Sequence, residues 1–491
     1  MRPVLTPAEM GRVDALAAET TGFETLVGRA GAAVAHHALA MLGGAYGRRV
    51  AVVAGRGHNG DDGRVAAALL ARRGVRVEVV PPGAGPLPAC DLVVDAAYGT
   101  GFHGEYDAPR VPDRPGGGRA LVLAVDVPTG VDATTGVAGE RAVTADRTVT
   151  FGAFKPGLLL GDGPDRCGEV VVEPIGLPVD EAAAHLVEDA DVAHLVPSRR
   201  RAGHKWDAAV YVVAGSPGML GAAQLCAQAA MRAGAGMVRL ASPGVAPGTV
   251  PVVEAVSRGL PAEHWAAPVL DDLGRCRALV VGPGLGATPE TAAALRRLVA
   301  EASVPTVVDA DGLNVLGGVD ELARLVAARR APLVLTPHDG EYARLVGTRP
   351  SHDRVAAARE LAARTRATVL LKGATTIVAS PSGAVLLATS GSSRLSTAGT
   401  GDVLAGVVGA LLARGLAPHL AAALGAHVHG RAAARGHAEG LVAGDLPLLV
   451  ARILSELAAA GGRAGAGAGA GASAGNVRGS ARTGGAAPAG R

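Results

Sequence analysis

Short runs of continuous apolar residues recur along the chain, each closed by Gly or Asp, with stretches of helical spacing between them. In the first part the runs are Arg49 to Ala54, Val75 to Val80, Leu92 to Asp95, Ala120 to Asp126 and Arg147 to Phe151, and Arg64 to Arg73 reads as a helix among them. A strand that is apolar at every position is covered on both faces, the condition of a parallel sheet flanked by helices. This predicts α/β architecture with an N-terminal doubly wound, Rossmann-like domain. A helical stretch from Pro7 to Met41 precedes it, with Thr6 placed to cap and Pro7 and Glu9 in the first turn.

The polar stretch Val196 to Asp207 reads as a joint, and a second series of apolar runs follows it: Ala208 to Ala214, Met237 to Ala241, Ala278 to Val281, Pro305 to Asp309, Pro332 to Thr336 and Thr368 to Lys372. Ala/Leu-rich helices such as Pro289 to Glu301 and Asp353 to Arg364 lie between them, and Gly401 to Arg414 and Pro418 to His437 come last. From about Gly461 to Arg491 the residues are Gly, Ala, Ser and Arg with almost no large apolar side chain. Such a segment buries too little surface to offset chain entropy and is read as a disordered, dispensable tail. The expected division is 1–197, 198–458 and a tail at 459–491.

Composition narrows the function. The net charge is only +3 over 491 residues, and the basic run Arg199 to Arg201 is short. Aromatic residues are 2% of the chain, so base-stacking platforms are not evident and no nucleic-acid partner is expected. The apolar stretch Val403 to Ala413 is too short to span a bilayer, and Met1 to Asp14 holds no apolar signal segment. Four cysteines, none in a C-x-x-C pair, suit free thiols in a reducing cytoplasm. A cytoplasmic enzyme of small molecules, forming a homo-oligomer, is expected.

Chemistry gathers at the strand ends. Strand Arg49 to Ala54 runs into Gly55-Arg56-Gly57-His58-Asn59-Gly60-Asp61-Asp62-Gly63 and then a helix, a turn whose backbone N–H groups suit phosphate. Asp95 is followed by Gly99-Thr100-Gly101-Phe102-His103-Gly104, and Asp126 by Val127-Pro128-Thr129-Gly130. In a doubly wound sheet these carboxyl ends open into one crevice. Asn59, Asp95 and Thr129 then offer one oxygen each to a hard cation, and Asp126 can act as an acid or base.

These segments, with Val27-Gly28-Arg29-Ala30-Gly31 and Lys155-Pro156-Gly157, resemble the epimerase domain of the bifunctional NAD(P)H-hydrate repair enzymes, over roughly Met1 to Val196. By position, the resemblance implies that potassium takes Asn59, Asp95 and Thr129. It implies that the hydrated nucleotide takes His58, Asn59, Gly60, Asp61, Asp62, then Gly99, Thr100, Gly101, Phe102, His103, Gly104 and Glu105, and Asp126, which is also catalytic. The family's loop reads Asn-Asn-Gly-Gly-Asp, whereas here His58 replaces an Asn, Asp61 a Gly, and Thr129 a Ser. A carboxylate at Asp61 beside a bound phosphate is repulsive, and protonated His58 or the potassium ion is the expected relief.

The strongest signal in the second half is Ser396-Thr397-Ala398-Gly399-Thr400-Gly401-Asp402. Its small residues let backbone N–H groups converge at a helix start as an anion hole, with Asp402 set to take a proton from a hydroxyl. Other strand ends carry Lys372-Gly373-Ala374-Thr375-Thr376, Thr336-Pro337-His338, Gly282-Pro283-Gly284-Leu285-Gly286, and Asp309-Ala310-Asp311. The acids of that last group either hold magnesium or cap a helix.

This half resembles a ribokinase-like domain, and more closely the ADP-dependent NAD(P)H-hydrate dehydratase, whose motifs Gly215 to Ala223 and the strand-end segments follow in order over roughly Ser198 to Ala458. The resemblance implies that substrate sits on Ala222, Gly284, Gly286, His338 and the catalytic Asp402, and that ADP lies on Lys372, Gly373, Ala374, Thr375, Thr376 and Gly401. The expected function is metabolite repair: epimerisation of hydrated NADH and NADPH, and ADP-dependent dehydration of the S form. Two other readings stay open on the residues alone. The second half could be a ribokinase-type kinase of a vitamin precursor, and the first a non-catalytic nucleotide-binding scaffold.

Overall fold

The computed structural model describes the backbone of residues 1–472 and the side chains of residues 1–461. Its first sheet has six parallel strands in the order Arg76–Val80, Arg49–Ala54, Leu92–Ala96, Leu121–Val125, Arg147–Phe151 and Glu169–Glu173. The chain begins this sheet at Arg49–Ala54, goes outward once, then returns to the other side. The switch point therefore lies between Arg49–Ala54 and Leu92–Ala96, where a doubly wound sheet opens its ligand crevice. One face is covered by three helices, Pro7–Thr21, Phe23–Leu42 and His58–Arg72. The expected single helix from Pro7 is broken at Gly22, whose φ of 86° is left-handed. Thr6 caps the first helix as read, in a reciprocal pair with Glu9.

The second sheet has eleven strands. Its centre is parallel, in the order Thr368–Leu371, Leu333–Leu335, Thr306–Val308, Ala278–Val281, Ala209–Val213, Met237–Pro243 and Val256–Leu260. Beyond Thr368–Leu371 it turns antiparallel through Thr376–Ala379 and Val385–Ala388. Two further strands then join from the first part of the chain: Ala184–Leu186, parallel to Val385–Ala388, and Arg2–Val4, antiparallel to Ala184–Leu186. The joint near residue 197 thus separates sequence but not sheet. Val127, Val131 and Leu158 to Leu160 also share one apolar core with Tyr211, Leu279 and Leu371.

The helix Thr400–Ala413 is buried almost throughout. Its glycines permit this: a Cβ on Gly409 would stand 2.2 Å from Val280, and one on Gly406 2.2 Å from the Cys226 carbonyl. The apolar stretch that is too short for a membrane is therefore the central helix of the core. Among the described residues no helix is long and apolar enough to cross a membrane. The four cysteines are free and buried. The last helix, Leu446–Ala472, does not stop near Leu457, so the boundary read at 458/459 falls inside it. It lies on Asp189–Leu195, with Gly461 close against Ala193. The rest of the expected tail, 473–491, lies outside the described residues.

Candidate active sites

The first crevice is a cavity of about 660 Å³ at the switch point. The helix His58–Arg72 begins inside the glycine loop, so that loop is a helix N-terminus with its backbone donors turned to the cavity. His58, Asn59 and Asp62 line it from this side, Gly99 to Phe102 from the next strand end, and Asp126 from the third. Asp126 has φ 68°, a strained backbone for a residue with a side chain. It is held there by the buried Lys155 at 2.7 Å, the Thr150 hydroxyl at 3.1 Å and the Thr100 N–H at 3.2 Å. Lys155 completes its own set with Thr150 and the Phe151 carbonyl.

Two more acids face the same space, and one of them was not read from the sequence. Asp14, on the first helix, is raised above the ordinary carboxylate range by burial. Asp62 is pushed up to about 8 by burial and by the neighbouring charges of Asp126, Asp61 and Asp14. Asp14 had no legible signal, because it lies on a helix distant in sequence from every strand end.

Asp95 and Thr129 are buried together. Thr129 donates its N–H and its hydroxyl to the Asp95 carboxylate, both at 2.8 Å. Burial raises Asp95 to about 6. The Asn59 amide N and O are both buried without a partner, while the Asn59 amide carbon stands 3.3 Å from where a Cβ on Gly99 would be.

Several expected residues lie elsewhere. Asp61 is not in the cavity wall: it pairs with Arg64 at 2.9 Å, and Arg64 also reaches the Gly55 carbonyl. The relief expected from His58 is supplied by Arg64 instead, while His58 packs its ring against Phe23 with centroids 4.6 Å apart. His103, Gly104 and Glu105 are exposed and outside the wall, as is the buried Gly60, whose missing Cβ lets it close on the Gly55 carbonyl.

The second site lies at the strand ends of the larger sheet, around the start of Thr400–Ala413. Gly399 turns the chain in with φ 90°. Lys372 bonds Asp309 at 2.5 Å and lies 3.8 Å from Glu341. Burial alone would lower the lysine, but these carboxylates outweigh it and hold it above its ordinary value. Asp309 also accepts the Thr336 hydroxyl at 2.7 Å. Asp402 is raised to about 7 by burial and by Asp309, against the pull of Lys372. Gly401 lies between, since a Cβ there would stand 3.5 Å from Lys372 Nζ and 3.8 Å from Asp309 Oδ2.

The glycine loops close on the same region. Gly284 touches Ala222, its carbonyl accepts the Ser216 hydroxyl, and Gly286 donates its N–H to Asp311. Asp311 thus has a structural partner. His338 caps the helix Asp339–Val346, its Nδ1 accepting the N–H groups of Gly340 and Glu341. Its ring is 54% exposed, and its far edge lies against Glu341, with Nε2 3.5 Å from a carboxylate oxygen.

His338 and Lys372 to Thr375 share a cavity of about 580 Å³ with Asp339 and Arg354. Thr376 and Gly401 are outside that wall, as are Ala222, Gly284, Gly286 and Asp402, and the Thr375 hydroxyl is already used, donating to the Leu159 carbonyl. His429 was not read either. It is buried on the helix Pro418–Arg435, lowered to about 4 by burial and by Lys372, and its Nε2 has no partner. Among the described residues no cluster of three or more His, Cys, Asp or Glu has the arrangement of a metal site.

A doubly wound sheet and a larger mixed sheet with a parallel centre, each with polar chemistry at its strand ends, make a two-centre α/β protein. The family described as NAD(P)H-hydrate dehydratase matches residues 210–456, and the YjeF-related protein N-terminus matches 24–88 and 82–157. The chain is 40% identical to the bifunctional NAD(P)H-hydrate repair enzyme Nnr of Mycobacterium tuberculosis, over 70% of this chain and 74% of that protein. It is 37% identical to the protein of the same name from Salinibacter ruber, over 78% and 82%. Among solved structures it is similar to the ADP/ATP-dependent NAD(P)H-hydrate dehydratase from Bacillus subtilis co-crystallized with ATP/Mg2+. That likeness is 29% in sequence, with a TM-score of 0.48, and covers 55% of this chain and 97% of that chain. The chain belongs to the family of bifunctional NAD(P)H-hydrate repair enzymes.

Proposed function

We propose that the chain repairs hydrated NADH and NADPH in the cytoplasm, exchanging R and S epimers in the first cavity and dehydrating the S form in the second. ADP is the phosphoryl donor and leaves as AMP. The hydrate hydroxyl gives its proton to Asp402 as its oxygen takes the phosphoryl group. Phosphate then departs with the C–O electron pair while the neighbouring carbon loses a proton, restoring the dihydronicotinamide. The observation that carries this reading is Asp402, raised to about 7 beside Lys372 and Asp309 at the head of the buried helix. A base poised there is half ionised near neutrality, and Gly399 to Gly401 bring helix N–H donors to the developing charge.

Two cations belong to this proposal. Potassium would take Asn59, Asp95 and Thr129, the asparagine offering a buried oxygen without any partner, and would supply positive charge for a phosphate. Magnesium would ride on the nucleotide phosphates with Asp309, whose Oδ1 is bound by Lys372 and Thr336 while Oδ2 faces Gly401.

The test is incubation of the purified chain with mixed hydrate epimers, potassium, magnesium and ADP. Full recovery of dihydronicotinamide absorbance requires both activities. Recovery that stops at the S fraction would leave the first domain as a scaffold. A stable phosphorylated product with no absorbance would instead make the second domain a small-molecule kinase.

A further inference from the structure

The two cavities are separated by a single turn of helix. Lys155, bonded to Asp126, lines the first cavity. It directly precedes the buried turn Pro156–Leu159, and Leu159, Leu160, Gly161 and Pro164 line the second cavity opposite Lys372 to Thr375. One helical turn spans about 5 to 6 Å. The Leu159 carbonyl accepts the Thr375 hydroxyl at 2.6 Å, a direct bond between the halves.

The turn has no slack. A Cβ on Gly157 would stand 2.1 Å from the Asp132 carbonyl oxygen, and one on Gly163 1.7 Å from the Gly157 carbonyl oxygen. Leu158 to Leu160 are buried in the core common to both halves. A segment packed this closely against the backbone of Asp132 and Ala133 has little room to absorb a shift between Lys155 and Leu159.

Resting on the reading of the second site as a nucleotide site, we propose that Leu159 to Pro164 of the first domain form a wall of that nucleotide pocket. Through the turn from Lys155, occupancy of the two sites is then thermodynamically linked. The dehydratase centre of this chain is composite, and nucleotide binding is felt at the Lys155–Asp126 pair.

Pro164 gives the direct test. It is exposed and sits in the first turn of the short helix Gly163–Cys167, where an acidic side chain is tolerated. ADP is titrated into the full chain carrying Pro164→Asp or Pro164→Lys. The acid should weaken binding and the lysine should tighten it, by up to about tenfold in each direction. A merely structural disturbance would move both the same way, and that result, or no change in either, overturns the wall.

Linkage is read in the full chain with Asp402→Asn, which blocks dehydration, by following epimer exchange with and without saturating ADP. A change of about fivefold or more in rate or KM is expected. Unchanged exchange with ADP demonstrably bound overturns the linkage while leaving the dehydratase reading intact. Failure of the unmodified chain to bind ADP overturns both.

Discussion

Each site holds a lysine paired with a strand-end aspartate, Lys155 with Asp126 and Lys372 with Asp309, and the two differ in what surrounds the pair. In the first, the lysine is fully engaged by Asp126, Thr150 and the Phe151 carbonyl. Asp62 and Asp14 stand nearby in a largely apolar cavity, both raised by burial. In the second, the lysine is shared among Asp309, Glu341 and the field of Asp402, beside a helix N-terminus. Raised acids beside an engaged lysine suit the proposed epimer exchange, a reaction that begins and ends with the same bonds. The second holds a fixed array of charge, which suits a phosphoryl group in transit. The same ion pair serves both because its neighbours, not its own chemistry, set the pKa of the working acid.

The comparison is broken most decisively at Asp402. Asp402→Asn should lower dehydration by about two to four orders of magnitude and leave epimer exchange intact. In the unmodified chain, dehydration should fall as pH drops below about 7, because the raised carboxyl is then protonated and no longer a base. Near-normal turnover in the variant, or a rate flat across that range, would remove Asp402 from the reaction.

Lys155→Met should be the costliest change for the fold. It leaves the half-buried Asp126 without its cation and with only the Thr150 hydroxyl and the Thr100 N–H, at a loss of about 2 to 3 kcal/mol in denaturant unfolding, together with loss of epimer exchange. Stability within 1 kcal/mol of the parent (about the value of an exposed pair) would show the ion pair to be incidental.

Asp62 sharpens the pH side of the contrast. Its folded pKa, about 8, lies above its ordinary value, so the neutral form favours the fold at low pH. That contribution is lost as pH rises through about 8. Asp62→Asn, always neutral, should melt at a higher temperature than the parent above pH ~8, with the gap closing toward pH ~4. A gap that widens on acidification has the wrong sign for this account.

The smallest effect belongs to Asp61. Its carboxylate faces Arg64 at the half-exposed surface, so Asp61→Gly should change hydrate affinity by less than about twofold, the scale of an exposed ion pair. A tenfold tightening on titration would restore the repulsion expected from the sequence.

That last residue shows where the sequence was legible and where it was not. The strand ends and their order could be read, because continuous apolar runs and the Gly and Asp that close them are local signals. They brought His58, Asn59, Asp62, Asp126, Lys372 and His338 to the cavities where the structure has them. The place of Asp61 depends on where the helix starts, and a helix that starts only at Arg64 hides its partner. Begun at His58, as the structure has it, the helix sets Asp61 and Arg64 three residues apart on one face.

What stayed illegible is long-range. Asp309 and Lys372 are 63 residues apart, and Thr375 and Leu159 are 216 apart, so no spacing rule reaches them. Nor does alternation of apolar and polar residues reveal that Arg2–Val4 and Ala184–Leu186 belong to the other domain's sheet.

Those two edge strands have a consequence for how the chain is made. Ala184–Leu186 leaves the ribosome about two hundred residues before Val385–Ala388, the strand it must pair with. At ordinary elongation speeds that is an interval of roughly 10 to 40 seconds. During it the first half can close its own six-stranded sheet, but it carries a two-stranded ribbon with a bare edge and uncovered leucines at 158 to 160. An unpaired edge of that kind invites pairing with another nascent chain. Yield in a heterologous host should therefore depend on the pace of translation between the two halves and on chaperones that shield the early ribbon.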